Sequence, residues 1–214
     1  MDFHEIRREY EDRGIQESQF GSCPFIHLSE WFQEAIDASP GRWFEVNAMS
    51  LATSDLEGHV SVRVVLLKGI TDEGIRFFTN YDSAKGQQLA VNPRAAVVLH
   101  WPYLGRQIRV EGTTEKTTRE VSGDYFQTRP RGSQLSAFVS RQSTVIESRE
   151  MLDMARQDLD KEHEGDAIPL PDDWGGYLLR PNRIEFWQGR LDRLHDRIVF
   201  QKTDLGWQKI RIAP

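Results

Sequence analysis

His59-Val-Ser-Val-Arg-Val-Val-Leu-Leu67 is the run on which the fold turns. It is rich in β-branched and aliphatic residues and reads as a strand. Working outward, β-rich segments of the same kind lie at 48–53, 74–79, 95–101 and 107–115. Each is bounded by Gly, Asp, Asn or Pro, and the connections are short. An antiparallel meander is therefore favoured over βαβ units, and a small barrel or closed sheet is the expected core. Arg63 and Lys68 sit near the two ends of this apolar run, an odd number of positions apart. In a regular strand they point to opposite faces and need not touch the same group.

Before the first strand, the stretch 28–39 places Trp31, Phe32, Ala35 and Ile36 at helical spacing, with Ser29 as the N-cap and Pro40 as the stop. Residues 6–16 are polar and of mixed charge, which suits a short helix stopped at Gly14 or an arm lying outside the core. Two more helices are expected at 118–128, capped by Thr117 or Thr118 and stopped by Pro130, and at 146–162. After the turn Ile168-Pro-Leu-Pro171, strands at 176–179 and 183–187 flank a Pro-Asn turn, and 197–201 and 207–212 read as a closing hairpin. No repeat or low-complexity linker marks a boundary. The expectation is an α+β fold, mainly antiparallel β with peripheral helices: an arm or lid over 1–20 and one domain over 21–214.

At 214 residues the chain can bury a sizeable core without metal or disulfide staples. Cys23 is the only cysteine, which excludes an internal disulfide and a cysteine-based zinc site and points to a reducing, cytoplasmic compartment. The charged N-terminus lacks the apolar core of a signal peptide, and no apolar run approaches a membrane span. A net charge of −6 argues against broad nucleic-acid binding, so any phosphate chemistry must be local.

Local cation clusters do stand out. The segment Phe77-Phe-Thr-Asn-Tyr-Asp-Ser-Ala-Lys-Gly86 leads from a strand through a polar turn into a helix expected at 87–91, whose free N–H groups suit a phosphate, with Lys85 adding charge. Such turns also serve simply as caps, and no Gly-x-Gly-x-x-Gly or Walker pattern is present. Tyr125-Phe-Gln-Thr-Arg-Pro-Arg-Gly-Ser133 gathers a phenol, two guanidiniums and a hydroxyl at a helix end, which is either a phosphate grip or a solvated terminus. In Glu185-Phe-Trp-Gln-Gly-Arg-Leu-Asp-Arg-Leu-His-Asp-Arg197, an extended end would put Arg193, His195 and Arg197 on one face beyond the flat surface of Trp187. The other histidines show no tight metal-ligand spacing, so no metal is expected; no Gly-x-Ser-x-Gly elbow or well-spaced carboxylate pair supports hydrolysis.

Taken in order, Arg63-Val-Val-Leu-Leu-Lys68, Phe77-Phe-Thr-Asn80, Tyr125-Phe-Gln-Thr-Arg-Pro130, Phe186-Trp-Gln-Gly189 and Arg193-Leu-His-Asp-Arg197 resemble the pyridoxine 5'-phosphate oxidase family, from the Arg7-Arg8-Glu9-Tyr10 arm to the final Arg211-Ile-Ala-Pro214. The resemblance implies an FMN-binding split β-barrel that forms a homodimer, with FMN at the subunit interface. It implies cofactor contacts from Arg63, Val64, Val65, Leu66, Leu67, Lys68, Phe78, Thr79, Ala84, Lys85, Gln107, Gln142, Ser143, Trp187 and Arg197. The substrate phosphate would meet Lys68, Tyr125, Arg129 and Ser133, while Arg193 and His195 would be the catalytic pair facing the pyridine ring. Arg7 and Tyr10 would belong to a lid that contacts substrate.

The activity implied is oxidation of pyridoxamine or pyridoxine 5'-phosphate to pyridoxal 5'-phosphate, with hydride transfer to the flavin and O2 reduced to hydrogen peroxide. In one place the chain departs from the family: where Ser-Arg-Lys is common it has Ser83-Ala84-Lys85, which removes a phosphate-facing guanidinium and predicts weaker FMN retention. The competing expectations are a related flavin oxidase acting on another aromatic substrate, such as a phenazine precursor, and a non-catalytic protein that stores or delivers FMN or pyridoxal phosphate.

Overall fold

β1 (Ala48–Ser54) turns Met49, Leu51 and Thr53 into the core and leaves Ser50 exposed, the period-two pattern of a strand with one face buried. The computed structural model describes residues 2–5, 9–11 and 13–214. β2 (Val60–Leu66), β3 (Gly69–Ile70), β4 (Ile75–Asn80), β5 (Arg94–Trp101) and β6 (Arg106–Lys116) follow as expected, apart from the two-residue β3. With β7 (Trp174–Gln188), β8 (Asp196–Thr203) and β9 (Gly206–Arg211) they form one curled antiparallel sheet in the order β2-β1-β5-β6-β7-β4-β3. β7 holds it together: its first half pairs with β4, its last half with β8, and most of its length with β6. Inside the curl Phe77, Leu99, Trp101, Ile108 and Phe186 are fully buried, each contributing ~1.5–3 kcal/mol.

Several boundaries differ from the sequence reading. β7 is one strand rather than a pair about a Pro-Asn turn; a register shift between Glu111 and Gly112 leaves Asn182 without a partner residue, so a bulge takes up Asn182 while Pro181 stays opposite Gly112. The first helix, α1 (Pro24–Asp37), begins earlier than 28, with Pro24 in its first turn. Ser29 is inside that helix, donating to the Phe25 carbonyl (2.9 Å), and is not its cap. Residue 15 is not outside the core: Ile15 is buried in it, and the described residues among 6–16 carry no helix, so Gly14 stops none.

α2 (Ala84–Val91) is capped by Ser83 rather than starting at 87, and α3 (Arg119–Thr128) is capped by Thr118. α4 (Arg131–Val139) was not anticipated, and α5 (Arg149–Glu162) starts three residues late because Ser148 is its cap. α3 and α4 bury Phe126 and Leu135 against Ile168 and Trp174, a second small core beside the open edge of the barrel. Among the described residues no helix is long and apolar enough to cross a membrane.

Candidate functional site

Between that small core and β2 opens a cavity of about 770 Å³. Its lining contains Arg63, Lys68, Lys85 and Arg129 and, among the described residues, no carboxylate. In a chain of net charge −6 such a wall is a local trap for anions. Arg63 and Lys68 meet here, against the opposite-face expectation, because the chain leaves β2 after Leu66 and the Lys68 amide instead bonds the Arg76 carbonyl at 2.8 Å.

Arg63 is anchored by donating to the Leu51 carbonyl (3.0 Å) and to Thr53 Oγ1 (2.7 Å). Ser83 fixes the start of α2, which drives Lys85 inward; its Nζ donates to Gln142 Oε1 (2.6 Å), Thr79 Oγ1 (3.1 Å) and Ser83 Oγ (3.2 Å). Burial, and then the nearby Arg63 charge, push the Lys85 ammonium down to about 8. Neutral oxygens satisfy its donors without compensating its charge.

The opposite wall is aromatic. Phe78 stacks on Tyr125 (4.0 Å between centroids) and on Trp174 (5.7 Å). Arg129 ends α3 in an extended conformation, the one favoured before Pro130, and lays its guanidinium 4.7 Å from the Trp174 ring centroid. Its Nη1 is buried with no hydrogen-bond partner, and burial lowers its proton affinity. A buried donor left unmet is costly, which marks this spot as shaped for an acceptor from outside the chain. Ser133, in the first turn of α4, completes this end.

Val64, Val65, Leu66, Phe78, Thr79 and Gln142 also line the cavity. Leu67 does not: its side chain is in the core, and its amide and carbonyl are both bonded to Asn47. Ala84 is exposed at the head of α2, and Ser143 stands beside Gln142, exposed and at φ 74°. Trp174 was missed in the sequence, where it looks like the end of a turn.

Gln107, Trp187 and Arg197 form a second group on the outer face of the sheet, directly opposite one another across β6, β7 and β8. Arg197 donates to Oε1 of the fully buried Glu185 (2.7 Å), whose carboxyl Arg197, Arg183 and Arg109 hold below its usual range against the opposing effect of burial. The stretch 193–197 is not extended throughout: Asp192 and Arg193 are left-handed at φ 54° and 61° in a tight turn, and of Arg193, His195 and Arg197 only Arg197 is on the strand. The His195 ring lies 4.6 Å from Trp187, and the Tyr10 ring lies 5.4 Å from His195. Tyr10 packs flat against Gly189, where a Cβ would come within 2.3 Å of it. His195 Nδ1 accepts from the Arg190 amide (3.1 Å), which leaves the ring proton on Nε2, and burial with the neighbouring Arg193 holds the imidazole below its ordinary value. Arg7 lies outside the described residues.

His59 is less isolated than its sequence suggests: its ring, Asp55 and Glu57 converge within 4.8 Å. Asp55 accepts from the amides of Glu57 and His59, so an exposed turn accounts for the grouping. His27 is structural, accepting from the Gly21 amide at 2.7 Å.

The family model described as pyridoxamine 5'-phosphate oxidase matches residues 36–160, and that for the pyridoxine 5'-phosphate oxidase C-terminal dimerisation region matches 174–214. Similar proteins named pyridoxine/pyridoxamine 5'-phosphate oxidase include one from Rhodopirellula baltica, 46% identical over 98% of this chain and 96% of its own length. Another, from Pseudomonas paraeruginosa, is 47% identical over 98% and 97%. Among solved structures, PhzG from Burkholderia lata in complex with tetrahydrophenazine-1-carboxylic acid superposes with a TM-score of 0.88 at 28% identity, covering 96% of this chain and all of that one. A pyridoxamine 5'-phosphate oxidase-related, FMN-binding protein from Nostoc punctiforme shares the fold, with a TM-score of 0.71 at 17% identity over 91% of this chain and all of that one. Full-length similarity at this level, joined to a cation-lined cavity on a curled antiparallel sheet, places the chain in the pyridoxine/pyridoxamine 5'-phosphate oxidase family.

Proposed function

We propose that the chain binds FMN and oxidises pyridoxamine and pyridoxine 5'-phosphate to pyridoxal 5'-phosphate, the last step in making and salvaging the vitamin B6 cofactor. The observation that carries this reading is the cavity with four cations and, among the described residues, no carboxylate, in which half-buried Arg129 keeps a buried Nη1 without a partner. Two phosphates need two such grips. Arg63 and Lys85, with Thr79, Gln142 and the adjacent Ser143, would hold the phosphate and ribityl chain of FMN. Lys68, Tyr125, Arg129 and Ser133 would hold the substrate phosphate, because the orphaned nitrogen belongs to this second set.

The chemistry FMN supplies when bound is acceptance of a hydride from the substrate C4' carbon and return of the electrons to O2 as hydrogen peroxide. The chain's part is to bind and orient. Holding both phosphates fixes two rings relative to each other and removes much of the entropic barrier to their reaction. His195 presents an Nε2–H donor suited to the substrate's phenolic oxygen, and Arg193 brings positive charge beside it.

Gln107, Trp187, Arg193, His195 and Arg197 are absent from the cavity wall of their own chain. A homodimer resolves this separation. The outer face that carries Gln107, Trp187 and Arg197 continues through Val98 and Ser50 to Val64, and β2 leaves Val60, Val62 and Val64 68%, 64% and 64% exposed. A second copy laid on this face would cover the valines and close the cavity with its own Trp187 and His195. The match of 174–214 to a dimerisation region supports that arrangement. Residues 1–20 would act as an arm, with Tyr10 as its contact to the site, on the single domain 21–214.

Aerobic incubation with pyridoxamine 5'-phosphate tests the proposal: one hydrogen peroxide and one ammonia per pyridoxal phosphate are the expected yield, water supplying the aldehyde oxygen. A phenazine-type substrate is the second reading, favoured by the likeness to the Burkholderia lata protein. It predicts turnover of unphosphorylated aromatic substrates that survives loss of Arg129, and a carrier protein predicts no peroxide at all.

A further inference from the structure

We propose that Asp196 is a positioning residue that holds the turn bearing Arg193 and His195 and locks it to the N-terminal segment and the last strand. This rests on the functional reading given for His195 above.

The turn from Gly189 to His195 joins β7 to β8 and contains two consecutive non-glycine residues in the left-handed region, Asp192 and Arg193. Such a backbone costs free energy and persists only where its surroundings over-determine it. Part of the restraint is internal: the Leu194 amide bonds the Leu191 carbonyl (3.1 Å), and the Arg190 amide bonds His195 Nδ1 (3.1 Å). The His195 ring also packs on Trp187 and Tyr10, and among the described residues several further ties converge on one carboxylate. Asp196 is 9% exposed; its Oδ2 accepts from the Ile15 amide (3.0 Å) and from Arg190 Nη1 (3.4 Å), and its Oδ1 accepts from Arg211 Nη1. Arg211 Nη2 closes the loop by donating to the Ile15 carbonyl (2.9 Å).

One side chain therefore ties the start of β8, the side chain at the head of the turn, the segment entering the core at Ile15, and β9. Hydrogen bonds to a charged group are the stronger kind, and a partly buried group with several such partners is rigid. Asp196 faces away from the Trp187–Arg197 side of β8, so it acts through the turn and not by touching a ligand.

Asp196→Asn keeps the shape and removes the charge. Its expected effects are hydrogen exchange at 189–195 and 13–16 faster by about tenfold, and kcat/KM lower by about tenfold through kcat, with FMN affinity unchanged. Combined with His195→Ala it should lower kcat by less than the two separate losses multiplied together, because the two changes share the placement of His195 and only that of Arg193 remains to be lost. Gly14→Ala perturbs the same node without touching Asp196, since its Cβ would stand 2.8 Å from Arg190 Nη1 and 3.2 Å from Asp196 Oδ2. It should quicken exchange at 189–195 by a smaller factor in a normally folded protein. Unchanged exchange in both variants, or additive losses in the double variant, would overturn the proposal. If His195→Ala alone leaves turnover intact, the functional reading of His195 fails, and the exchange rates still decide whether Asp196 holds the turn.

Discussion

The Lys85 ammonium and the Gln142 side-chain oxygen meet at 2.6 Å, joining the first turn of α2 to the segment after α4 across one wall of the cavity. The bond satisfies a donor, but burial of the ammonium, and then the charge of Arg63, leave the proton on Lys85 weakly held. A dianionic phosphate would reverse that penalty and hold the proton on. Phosphate itself is already dianionic above its pKa of about 6. Affinity for FMN should therefore fall by about tenfold from pH 7 to pH 9, as Lys85 in the free protein loses its proton around 8. Fluorescence titration of FMN across this range checks it; Lys85→Met should bind more weakly, with the slope gone.

In the proposed arrangement Arg129 would offer its unmet Nη1 to the substrate phosphate. Arg129→Met should raise KM for pyridoxamine 5'-phosphate by about 10- to 100-fold, the range for a charged hydrogen bond, with FMN binding unaffected. Equal losses in both affinities would mean that the two phosphate grips are wrongly assigned.

Ala84 stands exposed in the first turn of α2, next to Lys85. Ala84→Arg should tighten FMN binding by about tenfold through an added charge-assisted bond. A dissociation constant equal to that of the unaltered chain would show that nothing is missing there.

Removing residues 1–12 deletes Tyr10, whose ring covers Trp187 and His195, but spares Ile15 in the core. The truncated protein should keep its melting temperature and show a higher KM for substrate. A lower melting temperature with KM unchanged would make the arm a structural element.

The barrel strands were legible because β1, β5 and β6 alternate, and turn residues bracket them. What escaped the sequence did so for physical reasons. α4 opens on Arg131-Gly-Ser, where the poor propensities of Gly132 and Ser133 are overridden by tertiary packing of Leu135 on Phe126. Pro181-Asn182 has turn chemistry, yet a bulge lets β7 run through it. The alternating cations of 193–197 imitate a strand, but the backbone turns left-handed at Asp192 and Arg193. Arg63 and Lys68 share a cavity because the strand period stops between them. The residues expected to hold cofactor and phosphate came from ordered motifs; Trp174 carries none, and Glu185 and Asp196 lie within quoted runs whose spacing does not single them out, so only packing shows what they touch.

Anaerobic mixing of the FMN-loaded protein with pyridoxamine 5'-phosphate, followed at the flavin band near ~450 nm, tests the central claim most directly, because the cofactor reports its own reduction. The account predicts bleaching as pyridoxal 5'-phosphate forms, reversed with release of hydrogen peroxide when oxygen is admitted. Full FMN occupancy with no bleaching would contradict it.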